Sequence, residues 1–548
     1  MNKYLPVILI IISVVLGSVF LTSKHQSGEL VEQLPEPNKT ILLIPLDSRP
    51  PCGRLVADNA RTVGINILMP PGEAMDFYSL PGETTKTREW LSKEIKNCQE
   101  AIISIDQLLY GGLIASRNKA ITDEQISALT DYLKKLHAEN PTVRIHAFAI
   151  LPRMNPPDFV EKYQDRKKIM KWSRLVHQYD NQPLSETADQ IQELEREIPS
   201  DLLRAYKEIY NRNLRLNRQL ADLLAEGILT ELTFGQDDGE AYSLPNLKLK
   251  EFRHYIEKKN IPRDRLAIIH GADEAALSIL TNIVAEQQSF RVYIDYSSPQ
   301  AAQSIMPYMA ISNDETARER LHFHHSLVVD SPEEADYILF VSANNEETMD
   351  TRKASLRKMQ DYRQANKPIA LVDLSENFTA AEALFPVLLQ ANYPVNSLAA
   401  YAGWNTASNA IGTAIAQAEI YLTALKDSSK QDAVVCSNII NLNNRFCEDY
   451  YYLKDVIDLV NANLRKKGYG NVNDLDLEHN YKWAVDMAES TMRERLVQYK
   501  YSPAFKQPFS VKGTQYAVRD LTMELYFPWP RTFEVNLSTA PALIKMKN

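Results

Sequence analysis

The stretch "LTFGQDDGEAY", residues 232–242, places two adjacent acids directly after an apolar run. Adjacent carboxylates repel each other, so in a partly buried place the ionisation of one raises the pKa of the other. Such a pair holds one protonated and one charged carboxyl group near neutral pH, as acid–base catalysis requires. Gly235 and Gly239 bracket the acids and let the backbone turn sharply. We therefore predict Asp237 and Asp238 as catalytic residues; the alternative is a pair of acids that only caps a turn.

Polar residues also follow most of the other apolar runs. Ten runs, from "ILLIPLD" to "LAAYAGW", alternate with helical stretches, which is typical of a parallel sheet covered on both faces. In such folds, ligands bind outside the carboxyl ends of the strands. We therefore expect a substrate-binding rim of acids, amides, arginines and aromatic residues. Its predicted members are Asp47, Arg49, Asp106, Gln107, Tyr110, Arg117, Arg153, His270, Asp273, Asp295, Asn344, Asp373, Trp404 and Asn405.

Each rim residue also has an ordinary structural interpretation. Asp and Asn commonly cap the helix or shape the turn that follows a strand. Trp404 is equally typical of a protein core, and a salt bridge that fixes a loop explains Arg49 or Arg117 as well as a ligand does. What favours a site is the set, because nearly every strand end carries a polar or aromatic side chain.

The composition of the rim suits a polyol. Carboxylates and amides hydrogen-bond adjacent hydroxyls, and aromatic faces pack on sugar rings. The sequence contains no GxxxxGK[ST] or GxGxxG phosphate loop and no GxSxG nucleophile elbow. A divalent metal site at Asp47, Asp106 and His270 is an alternative, because hard cations take oxygen ligands. We predict a carbohydrate substrate and no metal or cofactor.

Charge argues against nucleic acid as a partner. The 548 residues include 61 Lys and Arg against 70 Asp and Glu, a net charge of −9, and no long basic run occurs. Phosphate backbones need a concentrated basic face. The 45% hydrophobic content is that of a globular protein with a sizeable core.

The first 24 residues, "MNKYLPVILIIISVVLGSVFLTSK", combine Lys3 with an apolar run from Leu5 to Leu21. This pattern predicts an export signal that can remain as an anchor in the cytoplasmic membrane, followed by a linker at 25–39. The working part is then extracellular or at the cell surface. In an oxidising compartment Cys436 and Cys447 could form a disulfide; four free buried thiols are the equal alternative.

The alternation of runs predicts an α/β fold whose parallel sheet is a (β/α)8-like barrel. We assign residues 40–415 to this barrel, with a helical insertion at 156–227, because that interval has apolar residues at helical spacing. Residues 416–548 form a mostly helical C-terminal region. Its last segment, "LTMELYFPWPRTFEVNL", is expected to pack back on the barrel as an edge strand.

The motifs "IPLDSRPP", "LLYGGLIASR", "GQDDGE", "HGADE" and "AYAGWNTASNAIG" resemble those of a bacterial family of unknown function, the domain family numbered four thousand one hundred and twenty-seven. This resemblance covers most of the chain after residue 40 and implies no chemistry. The Asp-Asp pair also resembles the end of the fourth strand in barrel glycosidases that act on N-acetylhexosamines. If "INILMPP" lies outside the barrel, "LTFGQDD" is the fourth strand. The resemblance implies that Asp237 orients the acetamido group of the substrate as nucleophile and that Asp238 is the general acid.

These patterns together favour an exported carbohydrate-active enzyme, a glycoside hydrolase acting on an amino-sugar-containing glycan through the Asp-Asp pair. Two other classes fit the same rim. One is a metal-dependent hydrolase or deacetylase, and the other is a membrane-tethered sugar-binding protein without catalysis.

Export is testable with reporter fusions. The translocon recognises an apolar run of this length, and Lys3 favours a cytoplasmic amino end. Alkaline phosphatase fused after residue 40 should therefore be active, because this reporter folds only outside the cytoplasm, and the same fusion without residues 1–24 should be inactive. A cytoplasmic reporter that is active in the first fusion would contradict export.

Overall fold

Strands alternate with helices from residue 39 to residue 424. The structure is a computed structural model that describes residues 28–286, 288–343, 348–471 and 474–547. The predicted export segment at 1–24 and the rim residue Asn344 lie outside these ranges. The described strands are β1 (Gly28–Leu30), β2 (Lys39–Ile44), β3 (Ile65–Leu68), β4 (Glu100–Ser104), β5 (Arg144–Leu151), β6 (Glu231–Gln236), β7 (Leu266–His270), β8 (Arg291–Tyr296), β9 (Leu327–Val328), β10 (Tyr337–Ala343), β11 (Ile369–Leu374), β12 (Ala400–Ala402), β13 (Phe509–Val511), β14 (Thr514–Tyr526) and β15 (Asn536–Met546).

The α-helices between and after the strands vary in length from about one turn to several turns. None of them, within the described ranges, is long and apolar enough to cross a membrane. A π-helical segment, Phe446–Val456, joins two of them. They are α1 (Arg54–Thr62), α2 (Thr84–Glu94), α3 (Ile105–Tyr110), α4 (Leu113–Asn118), α5 (Asp123–Glu139), α6 (Tyr163–Asn181), α7 (Ser185–Glu197), α8 (Ser200–Ala225), α9 (Leu244–Lys258), α10 (Ala275–Val284), α11 (Pro299–Gln303), α12 (Asn313–Phe323), α13 (Met349–Gln364), α14 (Phe385–Gln390), α15 (Ala407–Ala424), α16 (Gln431–Arg445), α17 (Ile457–Lys466), α18 (Tyr481–Lys500) and α19 (Pro503–Lys506).

The first parallel sheet contains, among the described strands, six members in the order β3-β2-β4-β5-β6-β7. Both of its faces are buried, which explains the continuous apolar runs. In β2, Ile41 and Leu43 face the core shared with the second sheet. Leu42 and Ile44 point the other way, into the core beneath α5, α8 and α9. The alternation follows from the two-residue period of a strand.

The second parallel sheet has the order β12-β11-β10-β8-β9 in the part of the chain that is described. Each of the ten apolar runs contains a strand, as predicted, but the (β/α)8-like barrel is not confirmed. Strands β7 and β8 follow each other in the chain and lie in different sheets, so the hydrogen-bonded ring does not close. An apolar run identifies a buried strand and carries no information about its neighbour.

Helix α15 joins the two sheets into one core. It packs on β11 and β12 and also contacts α1 and α10, which cover the first sheet. Its residues from Ala407 to Tyr421 are all buried. A helix buried on every side must be surrounded by other elements, and here both sheets supply them.

The interval 156–227 contains helices α6, α7 and α8, which share a small core around Trp172 and Tyr206. The C-terminal region is helical from α16 to α19 and ends in an antiparallel sheet of order β1-β15-β14-β13. The final segment is therefore not an edge strand of the parallel sheet. It forms the hairpin β14–β15, because two long neighbouring strands satisfy each other's hydrogen bonds. All four cysteines lie in described ranges, and each is a free buried thiol.

Gly235 in β6 has no room for a side chain. A Cβ atom there would lie 2.6 Å from the carbonyl oxygen of Gly271 and 3.2 Å from Ile150 Cδ1. We expect Gly235→Ala to lower the free energy of unfolding by about 1–3 kcal/mol, the usual cost of overpacking. Urea denaturation measures this change. The control is Gly72→Ala, whose Cβ would have no heavy atom within 4 Å; equal stability of the two variants would contradict the expectation.

Candidate functional site

The carboxyl ends of the first sheet meet loops of the second sheet at a small polar cleft. Both sheets contribute side chains, so the cleft exists only where the two halves are packed together. The principal lining residues are Asp237, Asp238, His270 and Asp273 from the first half and Tyr308 and Asn405 from the second.

Asp237 is held in its charged form. Its backbone N–H donates to the carbonyl of Leu151 at 3.1 Å, which continues the β5–β6 pairing to the strand end. Its carboxylate accepts hydrogen bonds from Nε of Arg117, at 3.0 Å, and from Nη2 of the same guanidinium. Burial alone would raise the pKa of Asp237, but Arg117 and Arg153 outweigh burial and lower it.

Asp238 has the opposite tendency. Burial and the charge on Asp237 raise the pKa of Asp238 to about 6, although Arg153 Nη1 donates to its carboxylate at 3.2 Å. The side chain is 28% exposed, so it can reach a ligand. The predicted coupling of the two acids thus has a physical basis. The Arg117 guanidinium binds Asp237 and stabilises its negative charge, and that charge hinders the ionisation of Asp238.

Arg49 connects two strand ends beside this pair. Its Nη2 donates to Asp47 Oδ2 at 2.6 Å and to Asp273 Oδ1 at 2.7 Å. The guanidinium also lies 5.3 Å from the ring centroid of Trp529, within cation–π range. The Trp529 indole N–H donates to Ser48 Oγ at 2.8 Å. The C-terminal segment is therefore part of the wall behind the cleft.

Asn405 comes from the second sheet and reaches Asp273, with Nδ2 3.3 Å from Oδ2. The loop that carries it is anchored from below. The Gly403 N–H donates to Asp449 Oδ2 at 2.8 Å, and Lys454 Nζ donates to the Gly403 carbonyl at 2.6 Å. Burial lowers the pKa of Lys454 and raises that of Asp449. Asp449 and Lys454 each bind the backbone of Gly403 and so position the loop; neither of them lines the cleft.

Three predicted rim residues are buried and do not line the cleft. Asp106 is buried and accepts a hydrogen bond from the Ile150 N–H at 2.8 Å; burial raises its pKa to about 7. Gln107 is fully buried, and its side-chain atoms have no hydrogen-bond partner among the described residues. Tyr110 is buried with the Arg212 guanidinium 5.3 Å from its ring centroid.

Two predicted rim acids point away from the cleft. Asp295 binds Lys358 Nζ at 2.9 Å and the Tyr362 hydroxyl at 2.7 Å. Asp373 is fully buried and accepts from the backbone N–H of Leu384 at 2.7 Å, as a loop cap. These two acids at strand ends of the second sheet thus bind neighbouring side chains and backbone and are not directed toward the cleft.

Trp404 lies in the core, and its indole N–H donates to Thr413 Oγ1 at 3.2 Å. His270 lines the cleft, and its Nδ1 is 3.0 Å from Glu319. The three residues of the alternative divalent site have other partners: Asp47 binds Arg49, Asp106 binds a backbone N–H, and His270 binds Glu319. In the ranges that the structure describes, no group of three His, Cys, Asp or Glu side chains is arranged to hold a metal ion.

Tyr308 is a site residue that the sequence did not reveal, and Asp76 is a buried acid behind the site that it also did not reveal. Asp76 is buried and accepts from the Ser48 N–H at 2.9 Å; burial and nearby Asp47 raise its pKa to about 8. Tyr308 is 58% exposed at the cleft, has φ of 65°, and its carbonyl accepts from the Gly239 N–H at 2.7 Å. Neither residue follows an apolar run, so strand-end reasoning passes over both.

The raised pKa of Asp76 predicts a pH dependence of stability. An unfolded Asp releases its proton near pH 4, whereas folded Asp76 keeps it to about pH 8. The contribution of protonated Asp76 to the free energy of unfolding is therefore complete below pH 4 and is lost as the pH rises to 8. Asp76→Asn keeps an acceptor for the Ser48 N–H but cannot ionise. Between pH 5 and pH 8, its free energy of unfolding should therefore fall by at least about 1 kcal/mol less than that of the wild type, the equivalent of one pKa unit.

Urea denaturation at the two pH values measures this difference. The control is Asp189→Asn, which changes an exposed acid on α7. If Asp76→Asn and the wild type lose the same stability between pH 5 and pH 8, the carboxyl group is not protonated in the folded protein.

Comparison with known proteins adds a family and no activity. No curated protein matches the chain. Residues 41–538 match the family model described as "Protein of unknown function (DUF4127)", so the match spans both parallel sheets and most of the C-terminal sheet. The chain belongs to this family of proteins of unknown function, DUF4127.

Proposed function

We propose that the protein is a glycoside hydrolase that cleaves an amino-sugar-containing glycan in the cleft between its two parallel sheets. The observation that carries this proposal is the placement of two neighbouring carboxyl groups in the cleft, one bound by Arg117 and the other 28% exposed. Asp237 is held below its usual pKa, and Asp238 is raised to about 6. Glycoside hydrolysis needs one charged and one protonated carboxyl group at the scissile bond.

The two acids take different roles. Asp238 donates its proton to the glycosidic oxygen as the bond to the anomeric carbon breaks, and its 28% exposure gives a ligand access to it. Asp237 stays negative because Arg117 binds it, and it orients the acetamido group whose oxygen attacks the anomeric carbon. This division follows the resemblance of "LTFGQDD" to the Asp-Asp pair of N-acetylhexosaminidases.

The polar lining of the cleft suits the hydroxyl groups of a reacting sugar. Asp273, Asn405 and His270 supply polar atoms for hydroxyl groups, and the exposed ring of Tyr308 supplies an aromatic face. The non-glycine φ of 65° at Tyr308 costs about 1–3 kcal/mol, a strain found at ligand clamps.

Arginine partners favour acid–base chemistry over the metal-dependent hydrolase or deacetylase. The carboxylates of Asp47, Asp237 and Asp273 already bind guanidinium groups, so a metal ion would have to displace an arginine to use them. We place the enzyme outside the cytoplasm, tethered to the cytoplasmic membrane, on the strength of Lys3 and the apolar run that follows it.

Substitution of each acid separates the two roles. Asp238→Asn should slow hydrolysis of N-acetylglucosamine oligosaccharides by about 10²–10⁴-fold, the size of general acid catalysis. It should spare an aryl N-acetylglucosaminide whose leaving group needs no proton. Wild-type kcat/KM should fall as the pH rises through about 6, and this decline should vanish in Asp238→Asn. Asp237→Asn should slow both substrates, because it acts at the anomeric carbon.

Steady-state kinetics measures these effects, with the exposed Asp189→Asn as control. If both variants keep full activity, the acids only cap a turn and the proposal fails. Binding of the oligosaccharide without turnover by the wild type would favour a sugar-binding protein. Loss of activity with a chelator, restored by a divalent metal, would favour the metal-dependent hydrolase.

A further inference from the structure

A second groove lies beside the cleft along helix α9. Its volume is about 640 Å³, and Gln236 and His270 line both the groove and the cleft. One segment forms a wall of both: Tyr308 lines the cleft, and Ala310 and Ile311 line the groove. The groove and the cleft are therefore neighbours with common walls.

Helix α9 gives the groove a basic side. Lys250, Arg253 and His254 line it, at a spacing that puts them on one helical face. Lys250 is paired with Asp180 at 2.7 Å, but Arg253 and His254 make no hydrogen bond or ion pair with any described residue. Glu257 is the acid among the lining residues. Among the described lining residues of the groove, the cationic side chain without an acidic partner is thus Arg253.

Apolar surface lies beside this charge. Leu249, Ala310 and Ile311 line the same groove. A sugar chain has ring faces that pack on apolar side chains and substituents that bind polar ones, so a groove of this composition suits an oligosaccharide. A guanidinium offers two parallel N–H groups, which match a carboxylate.

We propose that this groove binds the glycan chain beyond the reacting sugar and that Arg253 binds a carboxylate on that chain. The inference rests on the proposed function and specifies its substrate: an acidic oligosaccharide of several sugars rather than a single sugar. The cleft holds the sugar that reacts, and the groove holds the sugars next to it.

Chain length and charge test this inference. The probes are N-acetylglucosamine chains of one to six sugars and alternating glucuronic acid–N-acetylglucosamine chains of the same lengths. For the wild type we expect kcat/KM to rise at least about tenfold from one to four sugars and to be higher for the acidic chains. Arg253→Ala should lower kcat/KM for an acidic tetrasaccharide about tenfold more than for an aryl monosaccharide, through KM, as expected for a lost charge-assisted hydrogen bond. The difference should shrink at 1 M salt, because the charge is exposed.

The matched control is Arg519→Ala, which removes an exposed arginine from the antiparallel sheet and should change neither ratio. Thermal melting verifies that both variants fold. A wild type that prefers single sugars, or an Arg253→Ala variant with equal losses on acidic and aryl substrates, overturns the inference and leaves the glycosidase intact. A wild type that neither binds nor cleaves any of the chains overturns the proposed function and the inference together.

Discussion

The Arg49 guanidinium between Asp47 and Asp273 is the interaction on which the cleft depends. It joins the ends of β2 and β7 across the first sheet, and all three side chains are nearly shielded from water, at 11%, 0% and 7% exposure. Burial of these charges is costly and is offset only by close, well-directed contacts. Loss of one partner would leave an uncompensated charge, at about 3–5 kcal/mol. The triad therefore holds the strand ends at one spacing, and Trp529 closes it from the C-terminal side.

The two halves of the molecule are also joined next to the acid pair. Glu274 follows β7 and binds Arg320 of α12 and Asn409 of α15, all three fully or almost fully buried. The Tyr308 carbonyl accepts from the Gly239 N–H, one residue beyond the acids. These links fix the second half against the end of β6. A ligand in the cleft would touch both halves, so their packing decides its orientation.

Arginines determine which acid of the pair is charged. Without them, two adjacent acids at a buried strand end would compete for one proton, and neither would have a defined role. Arg117 lies in the last turn of α4, far from Asp237 in sequence, and its bond to that carboxylate makes the two acids unequal. Arg153, at the end of β5, reaches the neighbouring acid. The electrostatic difference is thus assembled from three separate chain segments, and the proposed chemistry depends on it.

The sequence by itself determined the ten strands of the apolar runs, the helical interval at 156–227 and the position of Asp237 and Asp238 at a strand end. These features are local, because apolar runs and helical spacing act within a few residues. The two glycines that bracket the acids are not turn residues: Gly235 lies within β6, and neither Gly235 nor Gly239 has a positive φ. Of the predicted rim, Asp47, Arg49, Arg117, Arg153, His270, Asp273 and Asn405 lie at or beside the cleft. Only the tertiary structure decided that the parallel strands form two sheets and that Asp295, Asp373 and Trp404 bind partners away from the cleft. It also decided that Tyr308 lines the cleft and that Trp529 packs on Arg49 beside it. Strand pairing, burial and pKa depend on residues distant in the chain, and no local pattern encodes which of them will meet.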